Sequence, residues 1–244
     1  MTRPIYAIGD IHGQLDELLR VLSLIEADGG ADADIVFIGD YTDRGPDSAG
    51  VINHLIEGRA AGKPWTCLKG NHDRMFEWFL EAYPRHDAVL PIGLYWLHPR
   101  LGGDTTLASY GIDMKPQERL IAVHARAREA VPKAHVDFLR TLPFCHQTDS
   151  LFFAHAGIRP GIMLDHQAEQ DLLWIRKEFH QDDSDHGKLV VHGHTPVDTA
   201  THYGNRINID AGAGYGNPLA AVAIEGTDCW QLTDKGRVRL SPQP

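Results

Sequence analysis

Six stretches decide the fold: PIYAIGD (4–10), DIVFIGD (34–40), WTCLKGN (65–71), LFFAHAG (151–157), LVVHGH (189–194) and RINIDAG (206–212). Each is a short run of β-branched, aromatic or other apolar residues that ends at a glycine beside Asp, Asn or His. Short apolar runs bounded by glycine read as buried strands. Between the early ones the apolar spacing becomes helical: Leu15, Leu18, Leu19, Leu22 and Ile25, then Ile52, Leu55 and Ile56. Arg74–Tyr83 is apolar almost all round and reads as a buried helix. This alternation predicts an α/β fold with a mixed or parallel sheet and right-handed crossovers. Ligands in such sheets sit beyond the carboxyl ends of the strands, which is where every one of these Gly-Asp, Gly-Asn and Gly-His groups falls.

Working outward, Leu219–Ile224 and Cys229–Leu232 flank EGTD and predict a hairpin. Residues 84–147 break the rhythm with prolines and glycines around helical pieces such as Arg119–Ala130. They read as a cap-like insertion in a single domain spanning 1–244, and QDDSDHG (181–187) reads as a mobile surface loop. A chain of 244 residues buries on the order of 70% of its unfolded surface without staples. Its three cysteines, Cys67, Cys145 and Cys229, are odd in number with no CxxC, which excludes a disulfide framework and a thiolate metal site. No apolar run reaches the ~18 residues a membrane span needs, and MTRPIYAIGD meets its first Gly-Asp too soon for a signal peptide. A cytoplasmic protein without a membrane partner is expected. The net charge of −10 repels nucleic-acid backbones, so an anionic substrate needs locally concentrated arginine or metal.

The strand ends carry the chemistry. Asp10 and His12 lie in GDIHG, Asp40 in GDYTDRG, Asn71 and His72 in GNHD, His155 in HAG and His194 in HGHTP. Carboxylates, imidazoles and one amide without sulfur suit Mn, Fe or Zn better than Ca or Cu(I). A carboxylate has two oxygens, so Asp40 can bridge two ions. A single Gly-Asp after a strand is usually a turn; five such elements in succession point to a metal centre. His192 and His194 compete for one place, and a turn at Gly193 is what would separate their roles.

In this order the motifs GDIHG, GDYTDRG, GNHD, HAG and GHTP resemble the phosphoprotein phosphatase branch of the calcineurin-like metallophosphoesterases. The resemblance runs from Asp10 to about Tyr215. It implies a central β-sandwich of mixed sheets flanked by helices, with a helical cap. It implies two divalent ions, Mn first and Fe or Zn as alternatives: one on Asp10, His12 and Asp40, the other on Asp40, Asn71, His155 and His194. His72 becomes the general acid supported by Asp43, Arg44 holds phosphate, and His194 is chosen over His192. A second phosphate arginine is expected shortly after a Trp, which selects Arg176 in Trp174-Ile175-Arg176; the competing reading is an exposed helix arginine. Pro196 stands where many metallophosphoesterases, nucleases among them, carry a second His, which favours the protein-phosphatase branch. Asp73 in place of Glu, DAGAGYG (210–216) in place of SAPNY, and the short chain depart from the eukaryotic enzymes. GGDTTLASYG (102–111) resembles the cap of small bacterial and phage members. The implied activity is that of a phosphomonoesterase removing phosphate from phosphoserine, phosphothreonine or phosphotyrosine by attack of a metal-bridging hydroxide. Its partners are a phosphoprotein or a phosphorylated small molecule. The rivals are a symmetrical bis(5′-nucleosyl)-tetraphosphatase, whose second motif usually departs from YxDRG, and a metal-stabilised binding module without turnover.

Overall fold

The computed structural model describes residues 3–243, and among them the strands form two mixed sheets packed face to face and flanked by helices. The first sheet has the order β11-β10-β9-β1-β2-β3. It comprises β1 (Ile5–Ile8), β2 (Asp34–Phe37), β3 (Trp65–Cys67), β9 (Ala221–Glu225), β10 (Asp228–Thr233) and β11 (Gly236–Leu240). The second has the order β4-β5-β6-β8-β7 and comprises β4 (Cys145–Gln147), β5 (Leu151–Ala154), β6 (Leu189–His192), β7 (Thr201–His202) and β8 (Arg206–Asn208). β1 runs parallel to β2 and β2 to β3, while β5, β6 and β8 are mutually parallel through the centre of the second sheet. Their carboxyl ends therefore open on one rim.

Alternation along each strand sorts side chains between two layers. Ala7, Val36, Phe153, Val191, Ile207 and Val222 fill the space between the sheets. Tyr6, Ile8, Ile35 and Phe37 face outward onto the helices α1 (Leu15–Gly29) and α2 (Ser48–Ala60), meeting Leu18, Val21, Ile25, Val51 and Leu55. Phe152, Ala154 and Val190 meet Leu172 of α7 (Glu169–Trp174), Phe179 of α8 (Lys177–His180) and Ile175 from the link between them. Burial on both faces is why these strands read as continuous apolar runs.

Local details depart from the sequence reading. Leu19 is exposed, so the buried stripe of α1 runs through Leu18, Val21 and Ile25. The helix expected to reach Tyr83 is α3 (Asn71–Phe79), and Tyr83 lies in solvent. Residues 84–147 contain α4 (Gly103–Ser109), α5 (Leu120–Ala130) and α6 (Lys133–Thr141), and end in β4, an edge strand of the second sheet. Val123, Phe138 and Leu139 from this stretch join the same apolar cluster as Phe76 of α3. The 181–187 loop is tied to the body by Asn205, whose amide donates to the carbonyls of Asp182 and Ser184.

Candidate metal centre and active site

The rim is assembled by backbone zippering of the strand-end loops. Ile11 and His12 donate their N–H groups to the Asp40 carbonyl at 3.1 and 2.8 Å, and Gly13 donates to Tyr41 at 2.9 Å. From the other side Asp73, in the first turn of α3, accepts from the N–H groups of Asp40 (2.8 Å), Tyr41 (2.9 Å) and Gly70 (2.9 Å). Burial and the charge of Asp40 push Asp73 up to about 8, against those three donors. Gly39, at φ +103°, passes so close to Gly70 that a Cβ would stand 2.5 Å from its nitrogen. Among the described residues six non-glycines adopt positive φ, and five of them are His12, Asp40, Asp43, Arg44 and His194. Such backbone costs about 1–3 kcal/mol each and persists where surrounding contacts over-determine it.

Within this frame Asp40 Oδ2 lies 3.5 Å from His12 Nε2 and 3.5 Å from His155 Nε2. Two tight groups of potential donors share it: His12, Asp40 and His72, and Asp40, His155 and His194. The imidazoles are aimed by their other nitrogens. His12 Nδ1 faces the Thr42 carbonyl at 2.8 Å and His155 Nδ1 the Ile38 carbonyl at 3.1 Å. Donation there leaves each Nε2 with its lone pair toward the centre. Burial holds His12, His155 and His194 below the usual imidazole range. Asp40 lies below the usual carboxylate range although burial opposes it, because four histidines surround it.

This donor set fits cations. His194 Nε2 is buried without a hydrogen-bond partner. His155 Nε2 faces Asn71 Oδ1 at 2.8 Å, two acceptors turned to one point. Burial, with the charges of Asp210 and Asp40, holds Asp10 well above the carboxylate range, and burial pushes Asp210 up to about 6. Buried acids gathered this closely call for positive charge.

Each expected residue reaches this rim, with different partners. Asp10 stands outside the two tight groups, and its carboxylate accepts the His194 N–H at 3.1 Å. His72 Nδ1 meets Asp43 Oδ2 at 2.6 Å, and its Nε2 faces Arg44 Nη2 at 3.1 Å. Arg44 also contacts His12 Nε2 and lies under the Tyr215 ring at 4.7 Å. Arg176 sits at the N-cap of α8, not within a helix; it is exposed and reaches Thr195 Oγ1 at 3.2 Å. Gly193 turns the chain after β6, so His194 joins the rim while His192 points outward to Phe179 and Arg206.

Several site residues carried no assigned role in the sequence reading. Asp43 accepts from Trp96 Nε1 at 2.9 Å and from Thr106 Oγ1 at 2.7 Å, both from the 84–147 segment that the sequence reads as an insertion. Asp210 follows β8 in RINIDAG, so its strand-end position was its signal. Asp73 was noted only as a departure from Glu.

A calcineurin-like phosphoesterase family profile matches residues 3–220, and the chain belongs to that family. The asymmetrical bis(5′-nucleosyl)-tetraphosphatase PrpE of Bacillus thuringiensis strain Al Hakam is 27% identical over 239 residues, covering 88% of each protein. Two solved structures share the fold. One, provisionally described as a diadenosine tetraphosphatase, is 20% identical with TM-score 0.63, over 100% of this chain and 96% of its own. The cold-active protein-tyrosine phosphatase of a Shewanella species is 18% identical with TM-score 0.61, over 99% and 81%. Among the described residues no helix is long and apolar enough to cross a membrane.

Proposed function

We propose that this chain is a two-metal phosphohydrolase whose first substrate class is a nucleoside polyphosphate. The observation that carries the hydrolase reading is Asp40 Oδ2, 3.5 Å from both His12 Nε2 and His155 Nε2, with His72 and Arg44 on the same rim. Asp10, His12 and Asp40 would hold one ion, and Asp40, Asn71, His155 and His194 the other. Divalent ions, Mn first with Fe or Zn as alternatives, would acidify a water and polarise the phosphoryl group. Arg44, whose two terminal nitrogens already point at His12 and His72, presents a fork to the equatorial oxygens, and Arg176 adds charge from beside Thr195. His72 gives a proton from Nε2 to the departing oxygen, which enters between that nitrogen and Arg44. Asp43 fixes the ring through Nδ1.

The nucleotide reading is supported by the curated relatives, which match over most of both chains. They carry the asymmetrical designation, whereas the sequence suggested the symmetrical rival. The second reading is a phosphoprotein phosphatase. The His72–Asp43 pair favours it, because a serine alkoxide needs a proton more than an anhydride leaving group does. Turnover of a dinucleoside tetraphosphate, a phosphoserine peptide and a phosphotyrosine peptide, with Mn added, tests both. A higher kcat/KM on the dinucleotide is expected. A higher value on either peptide installs the second reading, and no turnover above Asp40→Asn leaves only a binding module.

A further inference from the structure

Beside the site, on the Arg44 side, a cleft of about 610 Å³ opens between the insertion and the 213–215 turn. Arg44, Arg100, Gly102, Asp104, Gly214 and Tyr215 line it. Arg44 belongs to both spaces: it contacts His12 and His72 inward and forms part of the cleft wall outward. A phosphate held by Arg44 would therefore have this cleft within reach of its next substituent.

The walls describe that substituent. Tyr215 sits on a turn flanked by Gly212 and Gly216 at φ +80° and +89°, and the residue is 64% exposed. An exposed tyrosine on a turn is ordinarily inert surface. Here the turn is pressed onto the site: a Cβ at Gly214 would lie 2.6 Å from His12 Cδ2 and 2.9 Å from Arg44 Cδ. One side of the ring covers the Arg44 guanidinium at 4.7 Å, and the exposure belongs to the rest. Arg100 adds a second cation to the lining, on a turn fixed by its N–H donating to His98 Nδ1 at 3.2 Å. Two arginines against the single Asp104 leave the lining cationic in a protein of net charge −10.

We infer that this cleft is the leaving-group subsite for a nucleoside polyphosphate: Tyr215 stacks a base, and Arg100 takes a phosphate beyond the scissile one. The inference rests on the nucleotide reading above and assigns it residues. A phosphotyrosine side chain would use the ring but leave Arg100 without an anion. The cleft volume is that of a small-molecule site. Arginine beside an aromatic platform suits a ligand that carries both phosphate and a π-face.

The test measures KM for a dinucleoside tetraphosphate and for p-nitrophenyl phosphate in Tyr215→Ala, Tyr215→Phe, Arg100→Ala and Arg100→Lys. Equilibrium dialysis of a methylene-bridged dinucleotide analogue runs in parallel. Tyr215→Ala and Arg100→Ala are each expected to raise the nucleotide-to-aryl KM ratio about tenfold, with matching loss of analogue binding. Tyr215→Phe and Arg100→Lys restore most of it. Nucleotide turnover with an unmoved ratio overturns the subsite alone. Aryl phosphate turnover without nucleotide binding in the unmodified protein overturns the substrate reading beneath it. A phosphotyrosine peptide is measured alongside, and a KM that rises for the peptide but not for the dinucleotide assigns the cleft to peptide and overturns the inference.

Discussion

The strand-end rim and the 84–147 insertion meet at Asp43 and hold the site by different means. The rim is covalently local: Asp10, Asp40, Asn71, His155 and His194 each follow a strand within a few residues, and the parallel strands bring them to one edge. The insertion reaches the same place with isolated atoms. Trp96 Nε1, Thr106 Oγ1 and the Gly102 carbonyl bond to Asp43 and Arg44 from across the fold. The rim supplies charge and lone pairs, while the insertion orients Asp43, which in the proposed mechanism supports the proton donor His72. If that division is right, rim changes alter metal content and insertion changes alter leaving-group dependence.

The largest expected effect is on the rim. Asp40 touches both histidine groups and accepts the His72 N–H at 2.9 Å. Asp40→Asn is expected to lower kcat/KM by at least about 10³-fold, since charge stabilisation by metal accounts for several kcal/mol. Elemental analysis should show both ions weakened, whereas Asn71→Ala loses one. Chelation should abolish turnover, and added Mn should restore it. Full activity with one ion or none per chain would break the rim half of the comparison.

His72 comes next, where the two regions join. His72→Ala is expected to cost roughly 10²–10⁴-fold on an alkyl phosphate and far less on p-nitrophenyl phosphate, whose leaving group is stable without a proton. Metal content should stay at the unmodified level. Equal losses on both substrates would place His72 on phosphate orientation instead.

What was legible in the sequence follows the same division. Strands bounded by glycine and followed by a ligand-competent residue announce themselves, because burial on both faces enforces apolar runs and function places the polar residue next to them. β4, β7 and β11 do not. Two are edge strands of two or three residues. The third alternates Arg237 and Arg239 with a half-exposed Val238, and its arginines pair with Asp28 and Asp228 at 2.7 and 2.6 Å. Its apolar face is only Val238 and Leu240, of which Leu240 alone packs against the inter-sheet core. Trp96 and Thr106 were silent for another reason: each contributes one atom to Asp43 from more than fifty residues away, and nothing in their neighbourhood encodes that distance. Asp73 lay inside GNHD, but its three backbone bonds to 40, 41 and 70 exist only once the loops meet.

The insertion can be tested without touching the rim. Trp96→Phe removes one donor to Asp43 while keeping an aromatic ring against Phe76 and Phe79. Thr106→Val removes another and leaves the Asp43 N–H, donated at 2.7 Å, without that acceptor. Loss of an orienting partner typically costs roughly 10–100-fold, here in kcat on alkyl phosphates. The decisive readout is the bias: both variants should reproduce the alkyl-over-aryl loss of His72→Ala in weaker form. A uniform loss that follows the drop in Tm would reduce the insertion to packing.

The smallest effect is expected at the second arginine. Arg44 is half-buried and fixed by His12, His72 and Tyr215, so its fork is preset. Arg176 is exposed, with one bond to Thr195, so under the proposed mechanism a phosphate would have to draw it in. Burial is the main cause of the lowered His155 and His194 equilibria, and the charge of Arg176 adds to it in both, so the guanidinium is within electrostatic reach of the centre. Ordering a free side chain offsets much of a charge-assisted bond, leaving about tenfold in kcat/KM for Arg176→Ala, carried mainly by KM. Arg44→Ala should cost more and act on kcat. Arg176→Lys should not recover the loss if the planar fork is what binds, because an ammonium offers a point charge. Inhibition by inorganic phosphate gives the same answer without chemistry: its inhibition constant should weaken in parallel with KM. An unchanged kcat/KM and unchanged phosphate inhibition in Arg176→Ala would assign this arginine to the surface and leave Arg44 as the only arginine acting on the phosphate.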